Sequence, residues 1–152
     1  MGEASTPKAT IVVPVYNSAS SIQRCLNSLL AQSERSIQVV CVNDGSADDS
    51  LRVLRQIAQT DDRVLVIDQK NAGVSCARNA GIDAAGGEVV FFVDADDYID
   101  AQTVERVLQA MGSSDAEVAV FGGVCEPADA APKRVQQLMS PNAGTFGTRD
   151  PQ

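Results

Sequence analysis

The sequence contains no histidine. Imidazole triads, imidazole zinc ligands and imidazole proton shuttles are therefore excluded, and proton chemistry falls mainly to carboxylates. No CxxC pair occurs among the four cysteines, Cys25, Cys41, Cys76 and Cys125. Each stands among apolar or small residues, as expected of buried free thiols in a reducing cytoplasm. No run of 18 or more apolar residues is present, so no membrane span is encoded. The opening MGEASTPKAT lacks the basic-then-apolar pattern of a signal peptide, and Met1-Gly2 alone makes no myristoylation signal. Basic residues are outnumbered, 12 against 20 acidic, for a formal net charge of -8. Such a balance argues against a phosphate-backbone binder and hence against a nucleic-acid partner. Missing too are a G-x-G-x-x-G after the first strand and any GKS or GKT, so dinucleotide-binding and P-loop chemistry fit poorly.

The 152 residues that are present, 44% of them hydrophobic, suffice for one packed domain. Residues 10–15, TIVVPV, read as a buried strand, with Pro14 near the point where pairing stops. In the turn-rich YNSASS that follows, Ser20 and Gln23 fit a capping box. Ile22, Cys25, Leu26, Leu29 and Leu30 then repeat at helical spacing. A second strand, IQVVCV (37–42), leads into NDGSADDS. There Gly45 permits a tight turn and Ser46 is placed to cap a helix whose stripe is Leu51, Leu54, Ile57 and Ala58. VLVI (64–67) reads as a third strand, NAG (71–73) as a turn, and a helix is expected from about Val74 to Ala85. EVVFFV (88–93) is the fourth and most apolar strand. A helix carrying Val104, Val107, Leu108 and Met111 follows, then a fifth strand, EVAVFGGV (117–124). Beyond Glu126 the pattern fades.

Alternating strands and helices imply a mostly parallel sheet with helices on both faces. In such sheets ligands bind beyond the carboxyl ends of the strands. Four strand ends carry distinctive polar groups: Tyr16-Asn17, Asn43-Asp44-Gly45, Asn71-Ala72-Gly73, and Asp94 through Asp97. In an extended DADD, Asp94 and Asp96 point to one side and Asp97 away from it. Paired carboxylates suit Mg²⁺ or Mn²⁺, and a cation held there could take phosphate oxygens; a solvated acidic turn is the alternative. Asp100 sits where a helix N-cap belongs. Asp44 could accept a hydrogen bond from a nucleobase or fix its own turn. Tyr16 could stack on a ring or pack at the sheet edge. Arg78 could neutralise a diphosphate, pair with Asp44, or form a surface ion pair.

TIVVPVYN, the helix with SLLAQS, VVCVNDGSADDS, NAGVSCARNAGI and EVVFFVDADD occur in an order and spacing that resembles family 2 glycosyltransferases, from about Thr10 to Val124. The resemblance implies a GT-A fold, a Rossmann-like three-layer α/β/α domain. It also implies transfer of a sugar from a nucleotide diphosphate donor, a UDP-sugar first of all, to an acceptor hydroxyl with inversion. By position, Pro14, Tyr16 and Asn17 would line the base pocket, and Asp44 would hydrogen-bond the base. Asn71 and Gly73 stand in the neighbouring NAG turn, and Arg78 would reach the nucleotide. Asp94 and Asp96, with Ala95 between them, match the DxD motif, with Asp96 holding Mn²⁺ or Mg²⁺ and Asp97 sharing that duty. Family members usually continue well past the fifth strand, where the acceptor contacts and a general base lie, and no base is identifiable here.

The expected organisation is therefore a flexible 1–9, a nucleotide-sugar-binding domain over 10–125, and a partial or loosely ordered 126–152. The chain reads as the donor-binding portion of a longer transferase of polysaccharide biosynthesis, whose isolated fragment need not turn over. A non-catalytic nucleotide-sugar-binding module is the alternative, and a nucleotidyltransferase a third. A saccharide or lipid-linked acceptor, a homodimer held by exposed apolar surface, and a cytoplasmic location, at the inner membrane face in a full-length parent, complete the expectations.

Overall fold

A computed structural model describes residues 6–120. Four strands and four helices alternate: β1 (Ala9–Val15), α1 (Ile22–Leu30), β2 (Ile37–Asp44), α2 (Ser50–Ala58), β3 (Val64–Gln69), α3 (Val74–Asp83), β4 (Val89–Phe92) and α4 (Thr103–Gly112). The sheet order is β3-β2-β1-β4 and every pairing is parallel. Val12 of β1 stands beside Val40 of β2 and Phe92 of β4, so the three strands run in step towards one edge.

Strand alternation divides the apolar residues between two faces. Ile11, Val13, Val15, Val39 and Cys41 pack against Ile22, Cys25, Leu26 and Leu29 of α1, Leu54 of α2 and Val104 of α4. On the other face Val40 and Val42 meet Ala77 of α3, with Ala80 and Ala84 alongside. Small residues let α3 lie close to the sheet. The expected three-layer α/β/α architecture is thus present, with β1 and β2 buried on both sides as the apolar strands required.

Several local expectations are corrected. Neither α1 nor α2 has a side-chain cap: Ser21 and Asp49 occupy the N-cap positions. Ser46 is not a helix cap, because its hydroxyl is used by the β1–α1 loop and α2 begins four residues later, at Ser50. Asp100 lies one turn ahead of α4, whose N-cap is Gln102; its carboxylate accepts the Gln102 N–H at 3.1 Å. Val53, rather than Leu51, joins Leu54, Ile57 and Ala58 on the core side of α2. Cys25 and Cys41 are buried, but Cys76 is exposed, because α3 turns Ala77 and Gly81 inward instead. The described part of the expected fifth strand, residues 117–120, carries no strand pairing. The rest of that strand, Cys125, and residues 126–152 lie outside the described residues, as do residues 1–5. All eight elements belong to the unit Met1–Asp115.

Leu26 is fully buried between α1 and the sheet. Leu26→Ala is expected to lower the unfolding free energy by about 2–5 kcal/mol, through lost burial and a residual cavity, as measured by urea denaturation.

Candidate functional site

Beyond the carboxyl ends of β1, β2 and β4 lies a cavity of about 800 Å³. Its wall includes Pro14, Tyr16 and Asn17 after β1, Asp44 at the end of β2, Asn71 and Gly73 before α3, Arg78 on α3, and Asp94, Ala95 and Asp96 after β4. The structure therefore brings together the ten nucleotide-sugar candidates named from the sequence. Asp97 is not part of the wall.

Alternation along β2 sends Asp44 to the α3 side, where it is only 3% exposed. Its Oδ1 accepts from Gln69 Nε2 at 2.8 Å and from the Ala72 N–H at 2.9 Å, and its Oδ2 from the Gly73 N–H at 2.9 Å. The Gln69 amide, then the two backbone amides, hold the carboxyl below the usual aspartate range against the opposing pull of burial. One ionised carboxylate can accept about four hydrogen bonds, so three partners leave acceptor capacity towards the cavity. Two glycines make this arrangement possible. Gly45 has φ +69° and stands so close to Asn71 that an added Cβ would lie 2.7 Å from its backbone nitrogen; Gly73 has φ +89° at the start of α3.

Tyr16 is 55% exposed on the rim. Arg78 pairs with Asp94, not with Asp44: its Nη2 lies 2.9 Å from Asp94 Oδ1, and both side chains are partly exposed. The Arg78 Nε is buried without a hydrogen-bond partner. After β4 the chain does not stay extended. The Asp97 N–H bonds the Asp94 carbonyl at 3.0 Å, closing a turn that puts Asp94 and Asp96 on the cavity and Asp97 outside it. Burial, followed by the charges of Asp96 and Asp94, pushes the Asp97 carboxyl above its ordinary value.

The acidic turn is braced from below by α1. Arg24 donates to the Asp96 carbonyl at 3.1 Å, and its guanidinium lies 4.7 Å from the centre of the Tyr98 ring. Burial, reinforced by the charges of Asp97 and Asp96, pushes the Cys25 thiol up to about 12, so it stays protonated and can donate to the Asp94 carbonyl at 3.6 Å. Gln32, fully buried, donates to the Asp100 carbonyl at 2.7 Å and accepts the Val104 N–H at 3.0 Å. Sequence reasoning missed Arg24, Gln32 and Gln69 as supports. Their partners are mostly backbone groups far along the chain, which no local spacing reveals.

The acidic turn offers only hard oxygen donors, suited to Mg²⁺ or Mn²⁺. Among the described residues no three metal-ligating side chains converge. Asp96 could hold such a cation only with ligand or water oxygens completing its shell, which is the usual way Mg²⁺ is bound. The residues present fit the cation on those terms.

The sequence pattern of Glycosyl transferase family 2 matches residues 10–151. The chain belongs to this family. Glycosyltransferase GlyA of Streptococcus pneumoniae is 41% identical over 113 residues, covering 74% of this chain and 16% of GlyA. The crystal structure of S. aureus TarS 1–349 in complex with UDP superposes with a TM-score of 0.73 at 29% identity, covering 83% of this chain and 38% of that one. A mannosyltransferase of Pyrobaculum calidifontis, in complex with GDP-Man and Mn²⁺, gives 0.61 at 27% identity, over 69% of this chain and 31% of that one. The chain thus spans well under half the length of these family 2 relatives. None of the described helices is long and apolar enough to cross a membrane.

Asp44→Ala leaves two backbone donors and the Gln69 amide without their acceptor. Because Ala72 and Gly73 are exposed and water can replace part of the lost acceptor, a total loss of about 1–3 kcal/mol is expected in urea denaturation. Because the folded carboxyl titrates below its unfolded value, its contribution is full above the unfolded value, near ~4, and is lost as pH falls through the folded one. Hydrogen exchange at the Ala72 and Gly73 amides, referred to the intrinsic rate at each pH, should lose protection selectively over that acid range.

Proposed function

We propose that the chain is the donor-binding portion of a glycosyltransferase that moves a sugar from a UDP-sugar to an acceptor hydroxyl, with inversion and with a divalent cation. The observation that carries this reading is the single cavity on which Tyr16, Asp44, Arg78, Asp94 and Asp96 meet. An exposed aromatic, a buried acceptor, a cation and a pair of carboxylates are what a base, a ribose and a diphosphate require in turn. The UDP complex of TarS, and a second TarS complex with UDP-GlcNAc at the same TM-score of 0.73, support uracil as the base.

In this reading Tyr16 stacks on the base and Asp44 accepts its ring N–H with the capacity left over from its loop. Asp94 takes the ribose hydroxyls. Arg78 exchanges its Asp94 partner for the diphosphate, a short move because the ion pair already lies on the cavity wall. Asp96 holds the cation, with Asp97 behind it. Bound there, the cation would supply Lewis-acid stabilisation of the charge that grows on the departing diphosphate. The acceptor oxygen attacks the anomeric carbon from the face opposite the leaving group, and the hydroxyl proton passes to a base. No residue of this chain is assigned as that base. The Mn²⁺ complex of the Pyrobaculum mannosyltransferase supports a divalent cation in such a site.

Calorimetry of UDP with and without Mn²⁺ tests the assignment. Wild type should bind about tenfold more tightly with Mn²⁺, and Asp96→Ala should lose that gain while keeping its metal-free affinity. A wild type indifferent to Mn²⁺, or an Asp96→Ala protein with the wild-type gain, overturns it.

A further inference from the structure

The β2–α2 loop reaches across to the β1–α1 loop through four hydrogen bonds. The Asn17 N–H donates to Ser46 Oγ at 3.0 Å, and the Ala47 N–H donates back to Asn17 Oδ1 at 2.8 Å. The Ser18 N–H donates to Ser50 Oγ at 2.8 Å, and the Ala19 N–H to Asp48 Oδ2 at 2.9 Å. Ser50 is fully buried, and its hydroxyl in turn donates to Asp48 Oδ1 at 2.5 Å. The Ser50 N–H also reaches that oxygen, at 2.9 Å. Ser50 links two of these contacts, accepting from Ser18 while donating to Asp48, so those bonds reinforce one another.

This staple closes directly behind Tyr16. Asn17 has φ +48° and is the only described non-glycine residue in the left-handed region. That conformation reverses the chain immediately after the tyrosine, and asparagine adopts it more readily than most residues. Although Asn17 stands on the cavity wall, its side-chain carbonyl is committed to Ala47. The neighbouring Tyr16 ring is mostly exposed, so its direction depends on the backbone that carries it.

We propose that Asn17, Asp48 and Ser50 are positioning residues: they lock the backbone after Tyr16 so that its ring is aimed before the nucleobase arrives. The inference rests on the nucleotide reading above and deepens it. Ordering a loop at the moment of binding weakens affinity, and a loop already ordered avoids that loss.

A double-mutant cycle tests this, with UDP in the presence of Mn²⁺ as the probe. Asn17→Gly tolerates the left-handed backbone but loses the acceptor for Ala47. It should weaken UDP binding about tenfold, while Asn17→Asp, which keeps an acceptor for Ala47, should lose less than Asn17→Gly. On a Tyr16→Ala background Asn17→Gly should cost nothing further, because the ring it aims is gone. Asp48→Asn should show the same coupling and serves as the second route should Asn17→Gly fail to fold. An Asn17→Gly protein that binds like wild type, or losses that add in full to those of Tyr16→Ala, overturn the positioning role while the nucleotide reading stands. A wild type without UDP affinity overturns the nucleotide reading and this inference together.

Discussion

Parallel pairing on both flanks of β1 is the constraint on which the site depends. Val15 lies beside Asn43, and Val12 beside Phe92, so β1, β2 and β4 deliver their ends to one edge. Tyr16, Asp44 and Asp94 each stand within two residues of a strand end, and that is why they share a cavity. A slip of one residue in either pairing would turn Asp44 or Pro14 into the α1–α2 core and bring apolar side chains to the cavity. The two-sided burial of β1 and β2 opposes such a slip, since every inward valine on both faces would lose its packing.

Pairing alone does not shape the loops beyond the strands. Polar groups do that, Asp44, Ser50 and Gln32 among them buried, each spanning a long stretch of sequence. Asp44 gathers Gln69, Ala72 and Gly73; Ser50 and Asp48 gather Ser18 and Ala19; Gln32 gathers Asp100 and Val104. Buried hydrogen-bonding groups are costly to leave unpaired, so these contacts make the loops specific rather than merely compact. Like charges accumulate in the acidic turn, and Arg78 and Arg24 flank it. Only Arg78 meets a carboxylate there; Arg24 meets a carbonyl, and the Asp97 carboxyl remains pushed upward.

The fold was largely legible in the sequence because its signals were local. Runs such as TIVVPV and IQVVCV are long, β-branched and flanked by turn residues, and the helical stripes repeat at clear spacing. That the candidate residues would meet at one cavity was legible for a related reason: polar residues directly after apolar strands face a crevice in a parallel sheet. What spacing could not supply was the partner of each polar group. Ser46 looked like a helix cap but serves a loop 29 residues earlier, and Arg78 was open to Asp44 but meets Asp94. Cys76 looked buried among small residues, yet the rotation of α3 that puts Ala77 on the sheet leaves it exposed. The residues after α4 looked like a strand, but no partner pairs with 117–120 among the described residues.

The central claim is that this strand-end cavity receives a nucleoside diphosphate. A crystal structure of the protein with UDP and Mn²⁺ tests it most directly. The account predicts uracil between Tyr16 and Asp44, the ribose at Asp94, and the diphosphate between Arg78 and Asp96. UDP bound elsewhere, or a cavity that stays empty while UDP is held at another surface, would contradict it.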